Sequence, residues 1–168
     1  MVEAISDVGY WRDRLHKAKL QHHAIYMCGQ AEWDAIADKH REILAKLVGA
    51  HDSVLDAGCG WGRMLTLMPT DWSGDYCGID LSPDFIRMAK TEYPQTDFQV
   101  GDLRDLSGLG DKVYDWAILI SIRRMVINNM GQSAWDQMEG QLKQHARRLL
   151  FLDYERDNVG EVILSQVE

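Results

Sequence analysis

Proline is nearly absent from this chain, three in 168 residues. No stretch is Pro- or Ser-rich, low in complexity or repeated, so nothing marks a linker between domains. Cysteine is as scarce: Cys28, Cys59 and Cys77 make no Cys-x-x-Cys pair and are odd in number. A disulfide framework or zinc knuckle is thereby excluded as the organising element, and a reducing cytosol is the natural compartment. No apolar run approaches the ~18 residues of a membrane span, and no basic stretch followed by an apolar run opens the chain. A soluble, unprocessed protein without membrane partners is expected. Basic charge is short as well, with 18 Lys and Arg against 26 Asp and Glu and a net charge of −8. Such a field repels polyanions, which disfavours nucleic acid or anionic lipid as the main partner. No Gly-Lys-Ser/Thr occurs to hold a triphosphate and its magnesium.

What is present is 46% apolar content in a length typical of one domain, enough for one core. Residues 1–50 read as an N-terminal helical cover and 53–168 as an α/β core. Ser6 can cap a helix carrying Val8, Trp11, Leu15 and Ala18 at helical spacing; residues 21–30 have no period. A second helix is predicted from Glu32 to Val48, with Gly49 suited to the left-handed position past its end. From Ser53 short apolar runs alternate with helical stretches, the pattern of a doubly wound, mostly parallel sheet with helices on both faces. Strands are predicted at Ser53–Asp56, Tyr76–Asp80, Thr96–Val100, Asp115–Ser121, Leu149–Asp153 and, as an antiparallel return, Val162–Val167. Helices are predicted at Gly62–Met68, Pro83–Tyr93 and Ser133–Arg147. Ser82-Pro83-Asp84 supplies a capping hydroxyl, a preset φ and a first-turn acid.

The chemistry concentrates in Val-Leu-Asp-Ala-Gly-Cys-Gly-Trp-Gly, residues 54–62. A strand that turns through Gly58, Gly60 and Gly62 lets a bulky ligand lie against bare main chain at the carboxyl edge of the sheet. About twenty residues on, Tyr-Cys-Gly-Ile-Asp ends at Asp80, whose carboxylate can accept from both hydroxyls of a ribose. Phe-Gln-Val-Gly-Asp-Leu then brings Asp102 and Leu103 to the same edge, a carboxylate and a backbone amide able to read a purine. A dinucleotide fingerprint would want its third glycine at position 63, where Arg63 stands. A rim of Asp56, Asp80 and Asp102 repels a pyrophosphate and favours a sulfonium cation.

These motifs, in this order over residues 53–153, resemble the class I S-adenosylmethionine-dependent methyltransferases, whose fold is Rossmann-like. The resemblance implies S-adenosylmethionine as cofactor and S-adenosylhomocysteine as product. It places Asp56 and Gly58 near the methionine moiety, Asp80 at the ribose, Asp102 with Leu103 at the base and Ser121 beside the reacting group, with Ala57, Cys59, Gly60, Gly62, Leu81 and Gly101 also among the cofactor-binding residues. The implied reaction is methyl transfer to a small-molecule or unidentified acceptor. Competing functions are a cofactor-binding module without methyl transfer, working in a larger complex, and a nucleic-acid methyltransferase. Enzymes of this fold that methylate base amines commonly carry Asn/Asp-Pro-Pro-Tyr/Phe after the fourth strand. Ser121-Ile122-Arg123-Arg124 stands there instead and disfavours that substrate.

Because the donor is already activated, a catalytic base is poorly encoded, and none is identified. Acceptor-pocket candidates are Tyr10, Trp11, His22 and Tyr26 before the core and Ser121, Arg123 and Arg124 in the loop expected after the fourth strand. Trp61 either packs under the first helix or roofs the ligand. His22-His23 lacks supporting metal ligands, so no metal is expected. Arg123-Arg124, Arg147-Arg148 and Lys143 either touch phosphate or form a solvated face. About fifteen residues follow Asp153, short of the family's usual antiparallel strand pair, so a bare sheet edge and a homodimer covering it are expected.

Overall fold

The computed structural model describes residues 29–155 and 158–166 together with Tyr10, Trp11, Asp13 and His16; beyond Asp153 it describes backbone alone. Those four early residues have helical backbone. Ser6, Val8, Leu15, Ala18, His22, His23, Tyr26 and Cys28 lie outside the described residues. The chain then runs α1 (Gln30–Leu47), β1 (Val54–Ala57), a 3₁₀ turn (Arg63–Thr66), β2 (Tyr76–Asp80), α2 (Pro83–Glu92), β3 (Asp97–Val100), a second 3₁₀ turn (Ser107–Leu109), β4 (Tyr114–Ile120), α3 (Arg123–Met130), α4 (Gln132–His145), β5 (Ala146–Glu155) and β6 (Asn158–Gln166).

The six strands lie in the order β3-β2-β1-β4-β5-β6. The first five are parallel and β6 returns antiparallel beside β5. The chain thus starts at the centre, winds out to β3, and re-enters beside β1 as β4. Where the winding reverses, the loops after β1 and β4 diverge and leave a crevice at the carboxyl ends of the strands.

Alternation along the strands sorts the core into two layers. Val54, Trp116, Ile118, Leu150 and Leu152 face α1 and meet Leu44, Val48, Met64 and Leu67. Leu55, Ala57, Cys77, Ile79, Ala117, Leu119, Leu149 and Phe151 face α3 and α4, meeting Val126, Trp135, Met138 and Leu142. Parallel strands buried on both faces need the unbroken apolar runs seen in the sequence. α2 starts as its sequence dictates: Ser82 caps it by accepting from Phe85 N at 3.4 Å, and Pro83 opens the first turn.

Five local expectations are corrected. Residues 62–68 form a 3₁₀ turn and not an α-helix, because Gly62 enters with φ +85° and Pro69 disfavours helix at the residue before it. Gly49 is not left-handed: Val48 ends α1 extended, and Gly49 N donates to Asp52 at 3.0 Å, closing the turn locally. The loop expected after β4 is the helix α3. Ser121 belongs to the turn after β4 and not to the strand, at φ +61°. β5 begins three residues early, at Ala146, since Arg147 pairs with Asp115 at 2.5 Å and Arg148 with Asp52 at 3.0 Å at the strands' amino ends. Arg148 also lies 4.0 Å over the Trp116 ring. Carboxylates and an aromatic face are the partners of that basic pair within the chain, and Lys143 pairs with Glu139 at 2.7 Å. No helix of the described residues is long and apolar enough to cross a membrane.

Ile118, wholly buried at the centre of β4, tests this layering. Ile118→Ala should cost about 2–5 kcal/mol, whereas Val113→Ala, at 46% exposure, should stay within about 0.5 kcal/mol. Chemical denaturation of both variants measures the difference, and equal losses would contradict it.

Candidate functional site

The crevice is built from the glycine turn outward. After β1, Gly58 N and Cys59 N both donate to Ile79 O, at 2.8 and 3.0 Å, folding the turn against the end of β2. Gly58 has φ +84°, and a Cβ there would stand 2.6 Å from the Ile122 side chain, so only glycine permits that approach. At Gly60, φ +54°, a Cβ would meet nothing within 4 Å: the missing side chain is open space on the cavity wall. Gly60 N donates to Asp80 Oδ2 and Ser82 N to Asp80 Oδ1, both at 2.8 Å. Withdrawal from water raises the Asp80 pKa, and the two amides oppose the rise. Each oxygen accepts one backbone N–H and keeps acceptor capacity on the side facing the cavity.

The cavity, about 340 Å³, runs along the carboxyl ends of β1 to β4. Of the residues singled out in the sequence, Tyr10, Trp11, Gly58, Gly60, Asp80, Leu81, Gly101, Asp102, Leu103 and Ser121 line it. Ser121 N donates to Leu152 O at 3.0 Å, which ties this left-handed residue to β5. A residue other than glycine held there is a local cost that the surrounding structure must support.

Asp56, Ala57, Cys59, Gly62, Arg123 and Arg124 are absent from that wall. Arg123 reaches back to the buried Asp153 at 3.8 Å and lies near the faces of Trp135 and Phe151, so its side chain faces the protein rather than the cavity, while Arg124 is exposed. Trp61 stacks on Trp33 with ring centres 6.4 Å apart and meets Phe85 at 5.7 Å; it packs behind the wall. Phe85 in turn meets Trp11 at 6.4 Å.

Sequence reasoning missed Phe85, Arg104, Ile120, Ile122, Met138 and, on α3, Met125, Val126, Asn129 and Met130, all wall residues. Phe85 had a signal, the capped start of α2 that aims its first turn at the crevice. α3 had none, since eight residues are too few for a clear period.

Behind the turn, Asp56 is wholly buried and accepts from the Tyr76 hydroxyl at 2.6 Å. Burial pushes its pKa up to about 7, against the Tyr76 hydrogen bond, with the Asp80 charge adding to the rise and Arg63 opposing it. On the same side of the sheet His40 is buried in α1, and its pKa is held down to about 3 by burial and by the Arg63 charge. Arg63 itself lies 3.9 Å over the Trp33 ring.

The donor and acceptor set fits a purine nucleoside. A paired acceptor at Asp80 suits a ribose diol, the Gly60 gap admits a bulky group against main chain, and Leu103 with the β3 loop adds a partly apolar wall. A family model described as a methyltransferase domain matches residues 54–149. "Putative methyltransferase 235L" of Invertebrate iridescent virus 6 is 26% identical over 101 residues, 60% of this chain and 37% of its own length. The chain thus spans little more than a third of that curated relative. Among solved structures, the PH0226 protein of Pyrococcus horikoshii OT3 has a TM-score of 0.62 at 22% identity, covering 80% of this chain and 66% of that one. S-adenosylmethionine-bound CalS10, an amino pentose methyltransferase of Micromonospora echinaspora, has a TM-score of 0.54 at 21% identity, covering 73% and 50%. These two likenesses are likenesses of fold.

His40 and Asp56 make opposite contributions to the pH dependence of stability. With a folded pKa near 3 against an ordinary 6.5, His40 contributes stability that is complete above pH 6.5 and lost as pH falls toward 3. With about 7 against 3.8, Asp56 contributes stability present at low pH and lost as pH rises through that window. His40→Leu should therefore make unfolding free energy fall more with rising pH than in the wild type, and Asp56→Asn should make it rise more. Denaturant titrations between about pH 4 and 7 check both; curves parallel to the wild type would contradict the burial of these groups.

Proposed function

Because this chain belongs to the methyltransferase-domain family, we propose that it transfers the methyl group of S-adenosylmethionine to a small-molecule acceptor. The observation that carries the proposal is Asp80: a carboxylate fixed by the Gly60 and Ser82 amides, facing a cavity, with acceptor capacity left on both oxygens. It takes the two ribose hydroxyls. The main chain at Gly58 and Gly60 receives the methionine arm, and the wall formed by Leu103 and its neighbours receives the purine. The bound cofactor supplies a methyl group already activated on a sulfonium. What remains for the protein is to hold the acceptor in line, exclude water and take up a proton where the acceptor carries one.

Tyr10 and Trp11 line the cavity, Trp11 beside Phe85, and would serve as a cover that keeps water from the reacting atoms. Beside it the Ser121 hydroxyl orients the acceptor. The net charge of −8 favours a small molecule over nucleic acid as acceptor. Two buried free thiols, Cys59 and Cys77, agree with a reducing, cytosolic setting.

A second reading has its own support. Among the described wall residues the titratable groups are Tyr10, Asp80, Asp102 and Arg104, with both acids already engaged and no histidine. A module that binds the cofactor without transferring its methyl group would have such a wall. Incubation with methyl-labelled cofactor and a metabolite extract separates the two, since no labelled product favours the module.

Asp80→Ala removes the charged acceptor and should weaken S-adenosylhomocysteine by roughly tenfold or more in calorimetry, the low end for hydrogen bonds to a charged group. NAD should bind neither form. Unchanged affinity in the variant would refute the placement of the ribose.

A further inference from the structure

The turn between β4 and α3 carries two wall residues, Ser121 and Ile122, and part of what fixes that turn lies outside the cavity. Ser121 holds a left-handed φ of +61°, a cost its surroundings must support. Ile122 packs over the glycine turn so closely that a Cβ on Gly58 would stand 2.6 Å from its side chain. α3 begins there, and its cap, Ile122, makes no side-chain hydrogen bond to the first amides of the helix.

An acceptor arrives instead from another strand. Leu152 on β5 pairs with Ile120 on β4, so Asp153 stands at the carboxyl end of β5 beside the turn. Its side chain is 4% exposed and is not among the wall residues. Oδ1 lies 3.5 Å from Arg124 N, the second amide of α3 and one of those that a cap side chain serves, and Oδ2 lies 3.8 Å from Arg123 Nη1. A carboxylate below the first turn of a helix is favoured by the partial positive charge there, and more so where water is excluded. The end of β5 is thereby coupled to the start of α3.

We propose that Asp153 is a positioning residue for methyl transfer: from the end of β5 it holds the first turn of α3, and so sets Ser121 and Ile122 against the arm of the cofactor. This rests on the cofactor reading above, which lays the methionine arm along Gly58, where Ile122 is the neighbour. The nucleoside end is held elsewhere, by Asp80 and the wall at Leu103. Loss of Asp153 therefore costs affinity for the arm and spares the nucleoside.

Calorimetric titration of the full chain with S-adenosylhomocysteine and with adenosine, which lacks the arm, tests this. The wild type should prefer S-adenosylhomocysteine. Asp153→Ala should reduce that preference by roughly tenfold, on the scale of a charge at a partly buried helix terminus, while its affinity for adenosine stays within about threefold of the wild type, less than a typical hydrogen bond contributes. Asp153→Asn, which keeps the shape and one acceptor oxygen without the charge, should lose less of the preference than Asp153→Ala.

Variants that weaken both ligands in equal proportion, or neither, would make Asp153 a residue of structure alone and overturn the inference while leaving the cofactor reading intact. Failure of both variants to fold would overturn it too, since Asp153 would then serve the sheet as a whole. A wild type that binds neither ligand, or binds adenosine as tightly as S-adenosylhomocysteine, would overturn the cofactor reading itself and this inference with it.

Discussion

Two backbone amides, Gly60 N from the turn after β1 and Ser82 N from the cap of α2, converge on the Asp80 carboxylate. Through that convergence a glycine-rich turn, which has little intrinsic preference for one conformation, is held against the neighbouring strand. The same side chain that fixes the turn also lines the cavity, so under the proposed function structure and recognition would draw on one group. Its cost is visible in the raised pKa that follows from withdrawing a carboxylate from water. A nucleoside diol would offset part of that cost with two more hydrogen bonds, which links ligand binding to the order of the turn.

The sheet supplies the rest of the geometry. Parallel strands put every carboxyl end on one edge, and the reversal between β1 and β4 leaves that edge open at the centre. On the α1 side of the sheet the buried Asp56 accepts from the Tyr76 hydroxyl, and the nearby Arg63 charge lowers the pKa of both Asp56 and His40. The cavity wall on the other side is mostly apolar, with Ile122, Met125, Val126, Met130 and Met138. Thioether side chains adapt to differently shaped partners, which would suit the small-molecule acceptor proposed above.

Much of this was legible in the sequence, for identifiable reasons. Val54 to Ala57, Tyr76 to Asp80 and Tyr114 to Ile120 are apolar runs closed by glycine, acid or serine, a pattern that only a buried parallel strand requires. Ser82-Pro83-Asp84 announces a helix without reference to anything distant. α3 was illegible because Arg123 and Arg124 read as loop; its place is set by Val126 inserting into a core assembled from remote strands. The ion pair between Asp102 and Arg104 was equally hidden, since a contact between residues two apart depends on loop torsions that spacing does not encode. Asp56 read as a rim residue because strand alternation gives a side chain's face only once the layers are known; its carboxylate points at Tyr76, behind the wall.

The most direct measurement is a crystal structure of the chain with S-adenosylhomocysteine. The account predicts the two ribose hydroxyls on Asp80 Oδ1 and Oδ2, the homocysteine arm along Gly58 and Gly60, and the purine against Leu103. A nucleoside bound outside this cavity, or one whose ribose hydroxyls find partners other than Asp80, would contradict it.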